Sequence, residues 1–130
     1  MYGHVLCIAQ YWMLLGDRSQ VTGDDAILAK LVAELRRGVL VLAVLSGLRT
    51  PQYGYSLRQV LASAGLPIEE GTLYPLLRRL EAQGALESSW NTDGASPRRY
   101  YRLSPDGERL YEAMAESWRL QVDVMDGLLK

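Results

Sequence analysis

Cysteine and histidine are almost absent from this chain of 130 residues, which contains one of each, Cys7 and His4. A single cysteine excludes an internal disulfide framework and provides no metal-ligand cluster. Cys7 is interpreted as a small buried apolar residue in a reducing cytoplasm. The sequence also lacks a nucleophile–base pair and a phosphate-cradling glycine loop. We therefore expect a protein that is not an enzyme and that uses no cofactor and no metal.

Long apolar runs are also missing. The N-terminal apolar run, residues 5–15, is too short to span a bilayer. No Lys or Arg precedes this run and no clear small-residue cleavage site follows it, so no signal peptide is expected. These features predict a cytoplasmic protein with no membrane attachment. Residues 1–21 form an atypical N-terminal extension, which is an extra packed helix or strand, a poorly ordered segment or the result of an upstream start choice.

The chain has little net charge, −1 in total, which by itself does not indicate a nucleic-acid partner. The distribution of the charge is more informative than its sum. Residues 1–34 carry a net charge of −2, residues 35–103 carry +4, and residues 104–130 carry −3. Positive charge is thus concentrated in the middle of the chain, which favours an anionic partner for that block.

Helical periodicity dominates the sequence, so we predict a mainly α-helical fold with a small β-hairpin. A capping arrangement at Thr22, with Asp25 three residues later, opens the first helix. That helix continues into residues 38–48, which are apolar on all sides, and a helix of this kind is buried on all sides. It is either the central helix of the domain or part of a dimer interface. Pro105 is tolerated in the first turn of an amphipathic last helix, which packs against a partner subunit or docks on its own domain.

The middle of the chain has the pattern of a winged helix-turn-helix. A short helix over residues 55–63 is followed by a break and by a second helix over residues 70–83, which ends at Gly84. Two extended segments around a polar loop then form a hairpin, the wing. The predicted organisation is a winged helix-turn-helix DNA-binding domain over residues 22–103 and a C-terminal dimerisation helix over residues 104–130.

The second helix of the pair carries side chains suited to DNA. An α-helix fits the major groove, and its first turn presents free backbone N–H groups to phosphates. Thr72 and Tyr74 offer hydroxyls, and Arg78 and Arg79 flank the leucine stripe, so at least one of these arginines faces solvent. Pro75 suits the first turn if the helix starts near Thr72, because its missing N–H would then be one of those left unpaired.

The predicted wing is basic as well. Strand alternation places Arg98, Tyr100 and Arg102 on one face and Arg99 and Tyr101 on the other. Basic side chains on a wing can reach phosphates or the minor groove. The alternative is a winged-helix module that binds protein without sequence-specific DNA binding, but such a module has no need of this concentration of arginine.

Two segments resemble motifs of the PadR family of bacterial transcriptional regulators. They are GTLYPLLRRLEAQGAL at residues 71–86 and RRYYRLSPDGERL at residues 98–110. Residues 53–61 resemble the helix that precedes the first motif, and residues 35–48 resemble the first helix of the family. The resemblance extends over about residues 35–129 and leaves the N-terminal 21 residues without a counterpart.

The resemblance implies a homodimeric winged-helix protein, usually a repressor, that binds an inverted-repeat operator. Dimerisation in the family uses the first and the C-terminal helices. The resemblance also implies a set of DNA contacts on the helix pair and the wing, which in this sequence are Thr72, Tyr74, Pro75, Arg78, Arg79, Tyr53, Tyr55, Arg98 and Arg99.

Some members of the family release DNA when they bind phenolic acids or aromatic drugs. In one subgroup a tryptophan of the C-terminal helix stacks on flat ligands at the centre of the dimer. Residues 116–118, ESW, resemble that helix. The resemblance therefore implies that Trp118 is a platform for a small aromatic effector, and the alternative is that Trp118 only fills the dimer interface.

Overall fold

The structure is a computed structural model that describes residues 23–94 and 96–130. Within these ranges its elements are α1 (Gly23–Gly47), β1 (Gln52–Tyr53), α2 (Gly54–Ser63), α3 (Glu70–Ala82), β2 (Leu86–Asn91), β3 (Arg98–Leu103) and α4 (Pro105–Leu128). The predicted mainly α-helical fold with a hairpin wing is confirmed. The predictions for residues 1–21, including Cys7 and His4, and for the cap at Thr22 lie outside the described residues.

The core lies where the C-terminal end of α1 meets the leucine stripes of α2 and α3. Val44 and Leu48 of α1 and Leu73 and Leu77 of α3 are completely removed from solvent. Each such side chain contributes on the order of 2 kcal/mol by leaving water. This packing fixes α3 to the domain by one face and leaves its opposite face outside.

Among the described residues, the apolar segment 38–48 is not covered on all sides, so its predicted place in a dimer interface stays a prediction. Val44, Leu45 and Leu48 are buried, but residues 39–43 are only half-buried. The physical reason is that the rest of the described residues cover a single side of this helix. Further toward its N-terminus α1 exposes Ile27, Leu31 and Leu35.

The wing is part of a three-stranded antiparallel sheet in the order β1-β3-β2. The hairpin pairs Leu86 with Leu103 at its base and Asn91 with Arg98 at its tip. On the other edge of β3, Tyr53 of β1 pairs with Tyr100. The sequence predicted only the two strands of the hairpin, because a strand of two residues is too short to show a periodicity.

The start of α4 is locked to the base of the hairpin. The Ser104 side chain caps α4 by accepting a hydrogen bond from the Gly107 N–H at 2.9 Å. A Cβ on Gly107 would lie 1.9 Å from the Ala85 carbonyl oxygen, so only glycine fits this approach. Pro105 occupies the first turn, as predicted. Gly84 has φ +84°, which confirms its predicted role as the left-handed residue after α3.

Candidate nucleic-acid interface

The outer face of α3 lies opposite its buried leucine stripe and is exposed to solvent. Because Leu73, Leu76, Leu77 and Leu80 face the core, helical geometry turns the positions between them to solvent. All five of the helix residues predicted to contact DNA are exposed: Thr72, Tyr74, Pro75, Arg78 and Arg79.

The structure corrects the prediction for Pro75. The helix begins at Glu70, in agreement with the predicted range 70–83, and not near Thr72. Pro75 therefore lies in the interior of α3 and not in its first turn. An interior proline removes the donor that the carbonyl four residues earlier would use, here the carbonyl of Gly71. Pro75 and Gly71 are both exposed and lie on the same side of α3.

Tyr74 connects α3 with the start of α2. A Cβ on Gly54 would lie 2.3 Å from the Tyr74 hydroxyl oxygen and 2.6 Å from its ring, so the tyrosine packs directly on the glycine backbone. Gly54 is buried beneath this ring. The Tyr74 side chain remains about one third exposed, and its hydroxyl is therefore held in a fixed position at the edge of the interface.

Arg98 is held by an aromatic cluster at the start of α2. The Arg98 guanidinium carbon lies 4.6 Å from the centroid of the Tyr53 ring, and Tyr53 in turn contacts Tyr100 at 5.4 Å and Tyr55 at 6.3 Å between ring centroids. The Tyr53 backbone N–H donates to Ser56 Oγ at 3.1 Å, which ties this residue to the first turn of α2. A cation over a tyrosine face keeps its hydrogen-bond donors available to another partner.

Arg99 has different surroundings, because its side chain turns to the inner face of the wing. Its guanidinium forms an ion pair with Glu81 at 3.0 Å, and its Nε donates to Ser88 Oγ at 3.0 Å. Part of its charge is thus already compensated by a carboxylate. The predicted alternation of the strand is confirmed, since Tyr101 and Leu103 of this face are buried and Arg102 of the other face is exposed.

A groove of about 440 Å³ brings these elements together. It runs between the exposed face of α3, the N-terminus of α2 and the inner side of the wing. Among the described residues that line it, none is acidic and three are arginines. The lining is Tyr53, Gly54, Tyr74, Arg78, Trp90, Pro97, Arg98, Arg99 and Tyr101.

The groove contains five of the nine predicted DNA contacts, and the other four lie around it. Thr72 lines a separate concavity of about 520 Å³, together with Arg37 of α1 and Arg58 of α2. Arg79 and Pro75 are exposed on α3 outside the groove lining. Tyr55 is exposed on α2, where its hydroxyl accepts a hydrogen bond from Gln59 Nε2 at 3.0 Å.

Sequence reasoning missed two residues of the interface, Tyr100 as the partner of Tyr53 and Trp90 as part of the lining. Tyr100 joins the cluster only through the pairing of β1 with β3, for which no sequence signal was present. Trp90 had a signal, because a large apolar residue near the polar tip of a hairpin is unusual for a core position.

Trp118 lies on α4, where it is 47% exposed in the single chain. Apolar neighbours on the same helix, such as Val124 and Leu128, are also exposed. Of the apolar face predicted for this helix, Tyr111 and Met114 are partly buried against the core and Val122 is half-buried, whereas Met125 and Leu129 are exposed. The described part of the chain therefore leaves the second half of α4 with an uncovered apolar surface.

The described residues contain neither a membrane-spanning helix nor a cluster of metal ligands. None of the described helices has both the length and the hydropathy required to cross a bilayer. Among residues 23–94 and 96–130, no group of three His, Cys, Asp or Glu side chains is placed to hold a metal ion.

A helix pair, a basic exposed second helix and a hairpin beside it define a winged helix-turn-helix protein. A model of the PadR-like family of transcriptional regulators matches residues 41–113. The crystal structure of a PadR family transcriptional regulator from Eggerthella lenta is 49% identical, with a TM-score of 0.77 over 82% of this chain and 95% of that one. The chain belongs to the PadR-like family of transcriptional regulators.

Other relatives agree with this assignment. A PadR-like transcriptional regulator from Bacillus cereus is 27% identical over 75% of this chain and 97% of that chain, with a TM-score of 0.68. The transcriptional regulator Rv3488 of Mycobacterium tuberculosis is 44% identical over 55 residues, which are 42% of this chain. The matched segment spans about half of that relative, 51% of its length.

Proposed function

We propose that this protein regulates transcription by binding double-stranded DNA, with α3 in the major groove and the wing on the adjacent backbone. The observation that carries the proposal is the groove between α3, α2 and the wing, with three arginines and no acidic side chain among its described lining residues. DNA is an acceptor-rich polyanion, and neutralising its phosphates releases counterions. A protein with this function acts in the cytoplasm.

The residues of the interface have separate roles in this proposal. Arg78 projects from the middle of α3 and forks onto a guanine edge or a phosphate. Arg79, Thr72 and Pro75 flank Arg78 on the same helix and contact the walls of the DNA major groove. The hydroxyls of Tyr53, Tyr55 and Tyr74 donate hydrogen bonds to phosphate oxygens of the DNA backbone. The Arg98 guanidinium, which lies over the Tyr53 ring, donates to a phosphate as well.

The protein acts as a homodimer through α1 and α4. The support is the uncovered apolar surface on these two helices, with Leu35 75% exposed and Leu128 71% exposed. Patches of this kind on a small domain mark association surfaces.

In a two-fold dimer the two α3 helices enter successive major grooves about 34–36 Å apart, so the operator is an inverted repeat. Occupancy of such a site near a promoter excludes polymerase, which makes the protein a repressor.

Trp118 takes the role of an effector platform in this dimer. Its ring is only half-covered in one chain, and a second copy packed on α4 would place two such rings near the molecular axis. A flat aromatic ligand between them would alter the spacing of the α3 helices. Quenching of tryptophan emission by planar aromatics, and loss of that quenching in Trp118→Ala, test this role. Equal quenching in both proteins leaves Trp118 as an interface residue only.

The function itself is tested by selection from a pool of random-sequence duplexes, followed by anisotropy titrations at two salt concentrations. We expect enrichment of one inverted repeat and an affinity that falls steeply as salt rises. If the selected duplex binds no better than the starting pool, sequence-specific DNA binding is wrong and the interface serves a protein partner.

A further inference from the structure

Trp90 is a large apolar side chain exposed at the edge of the DNA-facing groove. Its side chain is 64% exposed although it lies in a strand. It lines the groove beside Tyr74 and Arg78, and it also lines the shallow concavity on the other side of the wing, with Asn91 and Tyr100. The indole therefore forms the ridge between the two surfaces. Tryptophan is enriched at binding surfaces, because it combines a large apolar ring with one hydrogen-bond donor.

The position of the indole is set within the wing. Trp90 of β2 is directly opposite Arg99 of β3 in the sheet register, so the two side chains share a face. The Arg99 guanidinium carbon lies 5.8 Å from the Trp90 ring and 5.6 Å from the Tyr101 ring. Because Glu81 holds this guanidinium at 3.0 Å, the ring rests on a support anchored to α3. The indole is thus placed for a partner before the partner binds.

The chemistry around the indole selects the kind of partner. An indole N–H donates and cannot accept a hydrogen bond, and the same holds for a guanidinium. Arg78, Arg98 and Trp90 therefore offer only donors to the groove. A matching ligand has many acceptors and also an apolar surface for the indole ring. The sugar–phosphate backbone has both, since phosphate oxygens only accept and deoxyribose presents carbon.

We propose that Trp90 is a DNA-contact residue that packs its ring on a deoxyribose and directs its N–H to a phosphate oxygen. This inference rests on the proposed function, since it names a further part of the same interface. The contact is independent of base sequence, because sugars and phosphates are the same at every position. Trp90 thereby seats the wing on the backbone, while α3 distinguishes the bases.

Substitution of Trp90 tests the contact on two duplexes, the one selected by the wild-type protein and a mixed-sequence duplex at low salt. Trp90→Ala should weaken binding to both by a similar factor, about tenfold. Trp90→Phe keeps a ring without the N–H and should lose less than Trp90→Ala. Unchanged affinity in Trp90→Ala overturns the contact, and a loss confined to the selected duplex overturns its assignment to the backbone.

A measurement on the unmutated chain keeps the test independent of any folding defect in these variants. The protein has three tryptophans, so labelling with 5-fluorotryptophan yields three fluorine resonances, and Trp90→Phe assigns one of them. We expect the Trp90 resonance to shift when duplex is added. A stationary Trp90 resonance with duplex bound, as shown by anisotropy, refutes the contact but leaves DNA binding intact. Failure of the wild-type protein to bind either duplex refutes the proposed function itself.

Discussion

Arg98 and Arg99 are neighbours in the chain, yet their charges have different surroundings. The Arg98 guanidinium lies over the Tyr53 ring, which leaves its donors available. The Arg99 guanidinium pairs with Glu81, whose side chain is mostly covered. A phosphate that approached Arg99 would compete with this carboxylate. The two arginines should therefore contribute unequally to DNA affinity.

We predict that Arg98→Ala lowers DNA affinity about tenfold and reduces the salt dependence by about one phosphate contact. Arg99→Ala should lower affinity by a smaller factor, because Glu81 already compensates part of its charge. Anisotropy titrations of both variants over a range of salt concentrations measure the difference. A larger loss in Arg99→Ala than in Arg98→Ala would show that Glu81 releases Arg99 when DNA binds.

At the scale of the elements, periodicity predicted the helices and the hairpin well. The leucines of α3 recur at helical spacing, and the change of spacing after Gly84 marked the start of β2. The two-residue strand β1 was missed, because it exists only through its pairing with β3. The first-turn role of Pro75 required a helix start near Thr72. The predicted range 70–83 already placed Pro75 in the helix interior, and α3 starts at Glu70.

The candidate site was predictable to a similar extent. The leucine stripe of α3 predicted that Arg78 or Arg79 faces solvent, whereas Tyr74 was singled out for its hydroxyl and by the family resemblance. Contacts between elements were not predictable, such as Arg99 with Glu81, which are 18 positions apart. Such a pair depends on the register of the hairpin against α3, and one sequence contains no local signal for it.

The junction between the hairpin and α4 should be sensitive to a single added methyl group. Gly107→Ala would place a carbon 1.9 Å from the Ala85 carbonyl oxygen. Because the two backbone segments must then move apart, we expect the free energy of unfolding to fall by about 1–3 kcal/mol. Gly127→Ala in the same helix is the matched control, because a Cβ there meets nothing within 4 Å. It should be neutral or stabilising by up to about 1 kcal/mol.

Urea unfolding of the two variants measures this difference. If Gly107→Ala is as stable as Gly127→Ala, α4 is not held against Ala85, and the described junction is wrong.

At the scale of the whole molecule, α1 and α4 have an apolar surface that the other described residues leave uncovered. The N-terminal half of α1 exposes Ile27, Leu31 and Leu35, and α4 exposes Val124 and Leu128. A second copy that covers both helices would also orient two α3 helices toward one duplex. Dimerisation and operator symmetry are therefore linked in this proposal.

We predict that Leu35→Glu converts the proposed dimer to a monomer, because a carboxylate cannot be buried unpaired in an apolar interface. Leu35 is 75% exposed in the single chain, so its replacement leaves the core intact. Ser63→Glu, at the exposed end of α2, controls for the added charge. Sedimentation measures the assembly. A dimeric Leu35→Glu protein places the interface elsewhere.

Binding of the selected duplex by the wild-type protein, Arg78→Ala and Arg119→Ala tests the α3–DNA contact most directly. Arg78 lines the groove, whereas Arg119 is exposed on α4 and pairs only with Glu116 among the ion pairs of the described residues. We expect Arg78→Ala to bind roughly tenfold to a hundredfold more weakly, and Arg119→Ala to match the wild-type protein, with all three dimeric. Equal affinity of Arg78→Ala and the wild-type protein would contradict the placement of α3 on DNA.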